Sequence, residues 1–455
     1  MLTRIEIDGF KTFEGFGLDL EPLQVILGPN ASGKSNLFDA IHLFSNLAGN
    51  DLRSSVRDLR GEPVELFRLH ADGLRSSRIT FAAELLLAPE VRDSWGEEVK
   101  IVHSRVRYSV EIELRRDERG LERLFVVKEA AEPILPERDL WLSAREISLQ
   151  FRQAFFKYGC SSPWLTTTEI DAKRSFRISP DALASGRTLP ANNAEATVLS
   201  SITSAEYPHL FAIREEMRCC RFLQLDPSKL RRPSPTTATL ELESDGVNLP
   251  TVLDRIQKET ATESQPKGAI SDIAASLTSL IPGVVDLNIL LDQKNKEYQI
   301  EIDYRDGIAF SSRVVSDGTL RYLGLLTLLN DPKHHGLVCF EEPENGIHPG
   351  RLKMLIEQLR KGVTDITSEA VDESEPLYQI LLNSHSPVVL ANLSENEAMF
   401  ADLVSVVNPK AGTVSRKTRI RPVGTDFMKD TAHSQQEYVS RFEVEHYLQS
   451  FERES

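Results

Sequence analysis

The residues with the most chemistry in them are Gly28-Pro29-Asn30-Ala31-Ser32-Gly33-Lys34-Ser35. Two glycines let backbone N–H groups turn inward around phosphate oxygens, and a lysine follows to meet the outer phosphates. The Ser35 hydroxyl is then a ligand for Mg²⁺. The apolar run Leu23–Leu27 precedes this loop, and Asn36-Leu37-Phe38-Asp39-Ala40-Ile41 follows it. A buried strand therefore feeds the loop and an amphipathic helix leaves it, with the partial positive charge of the helix N-terminus aimed at the anion. A chance match on a polar turn would lack that strand. The pattern is a site for a nucleoside triphosphate.

Such a site needs an acidic element to hold Mg²⁺ and orient the attacking water. The segment Leu337-Val338-Cys339-Phe340-Glu341-Glu342-Pro343-Glu344-Asn345 supplies it. Four apolar residues bury a strand, and two carboxylates emerge at its C-terminal end, where ligands sit in open α/β sheets. Glu341 is expected to coordinate Mg²⁺ through water, and Glu342 to polarise the hydrolytic water. The competing reading is an acidic strand-to-helix turn facing solvent.

These residues must be carried by a sizeable scaffold. The chain has 455 residues, 40% hydrophobic and 27% charged, which is long enough for two or three packed units. No apolar stretch approaches the roughly 20 residues of a membrane span. The N-terminus alternates like a strand and lacks a signal-peptide core. Cys160, Cys219, Cys220 and Cys339 have no paired metal spacing, so a reduced, cytoplasmic setting without membrane attachment is expected. The net charge of −15 argues against indiscriminate coating of DNA. Local basic clusters exist at Arg53, Arg57 and Arg60, at Lys229, Arg231 and Arg232, and at Arg416, Lys417, Arg419 and Arg421. Each is a solvated face or, less often, a nucleic-acid contact.

Residues 1–61 and 283–422 alternate strands and helices and form the expected split core. Residues 62–150 show period-two segments, such as 79–85 and 108–114, separated by polar turns including 116–120. They predict an antiparallel sheet with one wet face. Residues 151–282 read as an inserted, mainly helical lobe, and 423–455 as a C-terminal helical tail. Tyr438, Val439, Phe442, His446, Tyr447 and Phe451 form a stripe on that tail that either packs on the body or docks a partner. The fold class is α/β.

Motif order then carries a resemblance. Gly28 to Ser35 with Asn36 directly after, and the opening Asp8-Gly9-Phe10-Lys11-Thr12-Phe13, resemble the SMC/RecF branch of ABC-type ATPases. Val315-Ser316-Asp317-Gly318-Thr319 is similar to the ABC signature. Glu342 to Pro349 resembles the catalytic glutamate and D-loop, and Asn383-Ser384-His385-Ser386-Pro387 the switch-histidine loop. Leu225 to Arg231, with Asp245-Gly246-Val247-Asn248-Leu249, is similar to stand-alone RecF/OLD-like bacterial ATPases. The resemblance implies a P-loop NTPase of ABC/SMC-head type, with ATP and Mg²⁺ as cofactors. Gly28, Asn30, Gly33, Lys34, Ser35 and Asn36 would bind ATP, and Ser35 and Glu341 the metal. Glu342 and His385 would be catalytic. Ser316 and Gly318 would cap ATP held by a second copy, giving a homodimer or higher homo-oligomer of ATP-sandwiched heads.

Some features depart from that pattern. Glu341 stands where many relatives have Asp, Gln150 is a Q-loop candidate without supporting flanks, and no long coiled coil is inserted. The short segment after His385 carries no TOPRIM-like acidic cluster, so a nuclease or toxin effector is expected on a separate partner, in anti-phage defence or DNA repair. The basic clusters keep nucleic acid among the expected partners. Two alternatives stay open: a transporter nucleotide-binding subunit, and a nucleotide-bound scaffold without turnover. A GTPase is disfavoured because no Asn-Lys-x-Asp motif occurs.

Overall fold

A computed structural model describes the chain except residues 94, 117–118, 171–172, 180–185, 409–412, 425–437 and 453–455. The expected turn at 116–120 and much of the expected tail therefore lie partly outside the described residues.

Strand Leu23–Leu27 is apolar at four of five positions and wholly buried, as a strand covered on both faces must be. It is the centre of a seven-stranded sheet in the order Arg221–Leu223, Gly336–Glu341, Tyr378–Ser384, Leu23–Leu27, Ala398–Asn408, Thr413–Gly424 and Val439–Ser440. The first five run parallel. Thr413–Gly424 returns antiparallel as the second arm of a hairpin. Period-two alternation sends Ile26, Leu337, Cys339 and Leu381 to one core and Val25, Leu27, Val338, Phe340, Ile380 and Leu382 to another. Each such aliphatic side chain withdrawn from water contributes about 1.5–3 kcal/mol. The register sets Glu341 beside Asn383 and Ser384 beside Leu27. Three neighbouring strands thus end together, and their loops share one edge.

The helix Lys34–Asn46 fills the first core, between this sheet and an eight-stranded antiparallel one. Its Phe44 ring lies 5.8 Å from Tyr108 and 6.0 Å from Phe81, both on the second sheet. That sheet is ordered Arg187–Pro190, Lys173–Ile178, Leu165–Ile170, Glu122–Pro133, Arg105–Arg116, Arg78–Leu86, Leu2–Asp8 and Phe16–Asp19. The α/β class and the antiparallel sheet agree with the sequence reading.

Three boundaries do not. Leu2–Asp8 and Phe16–Asp19 were expected in the split core but pair in the antiparallel sheet; Leu2–Asp8 keeps a half-wet face, which a central parallel strand cannot have. The expected helical lobe at 151–282 instead contributes three strands between Leu165 and Pro190 to the antiparallel sheet. Its threonines, Thr166 to Thr168, are β-branched and favour the pleat. Within the same span Arg221–Leu223 joins the parallel sheet beside the carboxylate strand. Helices Leu249–Thr260 and Ala269–Leu280 follow and cover the second core.

In the tail, Val439, Val444 and Leu448 enter the second core, so helix Arg441–Glu452 packs on the body. The anticipated stripe contributes only in part, with the Tyr447 ring 5.5 Å from Phe400, and the Phe451 side chain lies outside the described residues. Of that stripe Val439 is buried, whereas Phe442 is 75% exposed.

Candidate functional site

The phosphate loop is held by its neighbours on both sides. Gly33 has φ +97°, and a Cβ there would lie 2.0 Å from the Thr418 hydroxyl of the returning hairpin strand. A Cβ on Gly28 would lie 2.4 Å from the Ala401 carbonyl. Both positions therefore require glycine. The Gly28 N–H donates to the Ser384 carbonyl at 3.3 Å, joining this loop to the end of the histidine strand. Ala31, at φ +64°, and Asn30 are exposed at the loop's tip.

Lys34 opens the helix and is only 7% exposed. Its ammonium donates to the Gly28 carbonyl at 2.5 Å and the Pro29 carbonyl at 2.7 Å. Burial lowers its pKa to about 8, against the opposing pull of Glu342, Glu344 and Glu341. Asn36, expected to touch nucleotide, donates to the Thr12 hydroxyl at 3.0 Å. Thr12 and Thr418 hydroxyls are 2.6 Å apart. Asn36 therefore ties the N-terminal turn and the hairpin to the loop.

Glu341 ends its strand with Oε1 buried and without a hydrogen-bond partner. Glu342 follows at φ +49°, a left-handed backbone that costs a non-glycine residue about 1–2 kcal/mol. Asn383 offsets that cost by accepting the Glu342 N–H at both its carbonyl, 3.1 Å, and its side-chain Oδ1, 3.0 Å. The turn aims Glu342 at the histidine loop: its Oε1 lies 3.3 Å from His385 Nδ1, and its Oε2 accepts from Asn345 at 2.7 Å. Both side chains of the Glu342–His385 pair remain about two-fifths exposed, open to a ligand.

Sequence reasoning passed over Glu344. It is 8% exposed, its Oε1 accepts from the Ser384 hydroxyl, and its Oε2 is buried without a partner. Burial raises its pKa above the usual carboxylate range. A third acid just past Pro343, in a loop already holding two, was the available signal.

Ser316 is exposed and caps helix Asp317–Leu329 by accepting from the Thr319 N–H. Gly318 was expected to let a second copy's nucleotide approach closely. Within its own chain it is buried against Gly346, where a Cβ would stand 2.1 Å from the Gly346 carbonyl oxygen. Arg231 holds this segment, pairing with Asp317 at 2.5 Å and donating to the Val315 carbonyl at 2.7 Å. Gln150 is exposed on helix Leu149–Phe155, which packs around Trp141. Some members of the basic clusters are paired within the chain: Arg60 with Asp39, Lys229 with Asp245, and Arg419 and Arg421 with Asp402.

The donor set suits Mg²⁺, since Ser35 is partly buried beside Lys34 and the buried Oε1 of Glu341 lacks a partner. A cavity of about 970 Å³ opens at the opposite end of the sheet, by Leu23 and Met399, away from this chemistry. No helix among the described residues is long and apolar enough to cross a membrane.

Residues 169–391 match the family model described as "AAA domain, putative AbiEii toxin, Type IV TA system", and residues 1–113 match "AAA ATPase domain". Structural maintenance of chromosomes protein 1 of Schizosaccharomyces pombe is 37% identical over 84 residues, 18% of this chain and 7% of that protein. The chain thus matches only a small part of that relative's length. Among solved structures, the Smc head bound to the C-winged helix domain of ScpA is 12% identical, with TM-score 0.49, covering 92% of this chain and 98% of that one. The SMC head domain from Thermotoga maritima is 13% identical, with TM-score 0.38, over 93% and 99%. Between them the two family matches span the phosphate loop, the Val315–Thr319 segment, the carboxylates and the histidine loop, and both are described as AAA-type domains.

Proposed function

We propose that this protein binds and hydrolyses ATP with Mg²⁺, and that ATP-gated association of two copies controls a DNA-related process. The observation that carries this reading is the convergence of Lys34, Glu341, Glu342 and His385 at the shared ends of three adjacent parallel strands. Lys34 is held by carbonyls of its own loop and is free to exchange them for the β- and γ-phosphates. Ser35 and Glu341 would hold Mg²⁺, which neutralises charge on the phosphates when bound. Glu342 accepts a proton from the attacking water, a role that contributes about 10²–10⁴-fold. His385, next to Glu342, contacts the γ-phosphate and registers its loss. Ser316 is exposed and available to cap the nucleotide of a second copy. Hydrolysis then removes the contacts that hold the two copies together.

The matched family description names a "putative AbiEii toxin" and a type IV toxin–antitoxin system, and this supports a defence setting; the effector would be a separate protein, cytoplasmic like the ATPase. The test compares ATP turnover and oligomer size for wild type and Glu342→Gln. Wild type is expected to hydrolyse ATP, and the variant to lose about 10²-fold or more in turnover and to accumulate as an ATP-dependent dimer. Absence of turnover in wild type, together with a monomeric variant at saturating ATP, sinks the reading.

A further inference from the structure

Glu344 has no part in the proposed chemistry, yet it is the most enclosed carboxylate at the site. One oxygen accepts from the Ser384 hydroxyl and the other is buried without a partner. A carboxyl withdrawn from water at that cost needs a structural or functional return. Ser384 shows where the contact leads. Its hydroxyl oxygen accepts the Ser386 N–H at 3.0 Å, and its carbonyl accepts the Gly28 N–H at 3.3 Å. The peptide that carries His385 is therefore held on both sides by Ser384, and Ser384 is oriented by Glu344.

We propose that Glu344 is a positioning residue, latching the histidine loop to the carboxylate loop through Ser384 so that His385 stays beside Glu342. The proposal rests on the reading of Glu342 and His385 as the hydrolytic pair. Two further bonds run parallel to the latch, from the Glu342 N–H to the carbonyl and side chain of Asn383. These fix the backbone of the carboxylate loop but reach only the residue two before His385. The Glu344–Ser384–Ser386 chain alone brackets the histidine. Because the Gly28 contact leaves from the same serine, one residue couples the phosphate loop, the carboxylates and the histidine.

The test uses the full chain, wild type beside Glu344→Gln, Glu344→Ala and Ser384→Ala. Backbone hydrogen exchange over residues 383–387, measured without nucleotide, reads the latch directly, and steady-state ATP turnover reads its consequence. Glu344→Ala and Ser384→Ala are expected to speed exchange there by about tenfold. They should lower kcat by about 10–100-fold with KM within about threefold. Glu344→Gln retains an oxygen that accepts the same hydroxyl and is expected within about threefold of wild type in both readouts. Ser384→Ala deletes one hydroxyl and keeps the test sound if Glu344→Ala folds poorly. Unchanged exchange in the alanine variants overturns the proposal whatever turnover does. Loss of turnover in Glu344→Gln as complete as in Glu342→Gln overturns it too, because the charge would then belong to the chemistry. So does loss of Mg²⁺-dependent ATP binding in Glu344→Ala, which would make it a metal ligand. If wild type fails to hydrolyse ATP while the alanine variants still loosen 383–387, the latch stands and the hydrolytic reading alone falls.

Discussion

Adding a single methyl group separates two accounts of Gly318. In the first, its missing side chain serves a nucleotide held by another copy. In the second, it serves the fold of its own chain. A Cβ on Gly318 would lie 2.1 Å from the Gly346 carbonyl oxygen, 2.6 Å from its carbon and 2.9 Å from its Cα. All three are backbone atoms, so no rotamer change relieves the overlap and a loop must shift. Overpacking of this kind costs roughly 1–3 kcal/mol. With an m-value of about 3 kcal/mol/M, the urea midpoint of Gly318→Ala should fall by roughly 0.3–1 M. Gly346→Ala meets the same wall, 2.7 Å from the Gly318 Cα, and also places a side chain at φ +84°. That adds about 1–2 kcal/mol, so Gly346→Ala should be the more damaging change. The double variant should cost less than the sum, because either substitution alone already opens the contact. Urea titrations of nucleotide-free protein followed by circular dichroism measure all three. Wild-type midpoints for both single variants, or strict additivity in the double, would refute the intrachain packing.

Three further outcomes follow from the same geometry. Glu129 is fully enclosed between Tyr108 and the N–H groups of Val198 and Leu199, and burial lifts its pKa from 4.5 to about 7. A raised acid pKa favours the folded state while the group is protonated, so this contribution is complete below about pH 4.5 and is lost as pH rises through about 7. It amounts to a few kcal/mol, and Glu129→Gln should flatten the stability profile across that window in urea titrations. Lys34→Met should abolish the ATP-induced stabilisation, about 2.7 kcal/mol in wild type for ligand at 100 times Kd, that is read as a rise in melting temperature. It should leave the nucleotide-free protein no less stable, since it removes an ammonium whose charge burial disfavours. A melting curve that still responds to ATP would contradict the placement of that lysine. Glu342→Gly relieves the φ of +49° and should gain up to about 1 kcal/mol in urea while hydrolysis is lost; a less stable variant would mean the turn is unstrained.

The parallel core and the clustering of the candidate residues at its edge were legible because their signals are local. Leu23–Leu27 and the segment ending at Glu341 are continuous apolar runs that only a doubly covered strand explains, and the residues after them are short polar motifs. Less visible was which sheet a half-wet strand would join. Leu2–Asp8 alternates as an antiparallel strand does, but it stands beside the phosphate-loop strand in the sequence, and proximity suggested the wrong sheet. The strands between Leu165 and Pro190 are short and polar, so they carry little periodicity against nearby helices such as Leu149–Phe155. Arg221–Leu223 is three residues long, and only its pairing with Val338 to Phe340 marks it as a strand. Gly318 and Asn36 were legible as motif positions but not as contacts. Their partners, Gly346 and Thr12, lie in other segments that tertiary structure alone brings close.

Glycines and threonines, more than charges, decide how the phosphate loop is built. Gly28 admits the Ala401 carbonyl from one hairpin strand, and Gly33 admits the Thr418 hydroxyl from the other. Thr418 also donates to the Ser32 carbonyl at 3.3 Å and meets Thr12, which in turn accepts from Asn36. The loop is thus gripped from the C-terminal hairpin, the N-terminal turn and its own helix before any ligand arrives. Preorganisation of this kind lowers the ordering cost of binding, because backbone N–H groups need not be recruited from a mobile loop. The carboxylate side differs. Glu342 sits in a strained backbone, and the Glu341 and Glu344 oxygens have unmet hydrogen-bonding capacity. Unmet capacity is costly when buried and is relieved by a cation or by water held there. One half of the site is therefore settled without ligand and the other is not. A triphosphate with its metal would find its binding surface ready while changing the balance at Glu341, Glu342 and Glu344. Glu342 and Glu344 connect through Asn383 and Ser384 to the segment that carries His385, so a change at the carboxylates bears on the position of that histidine.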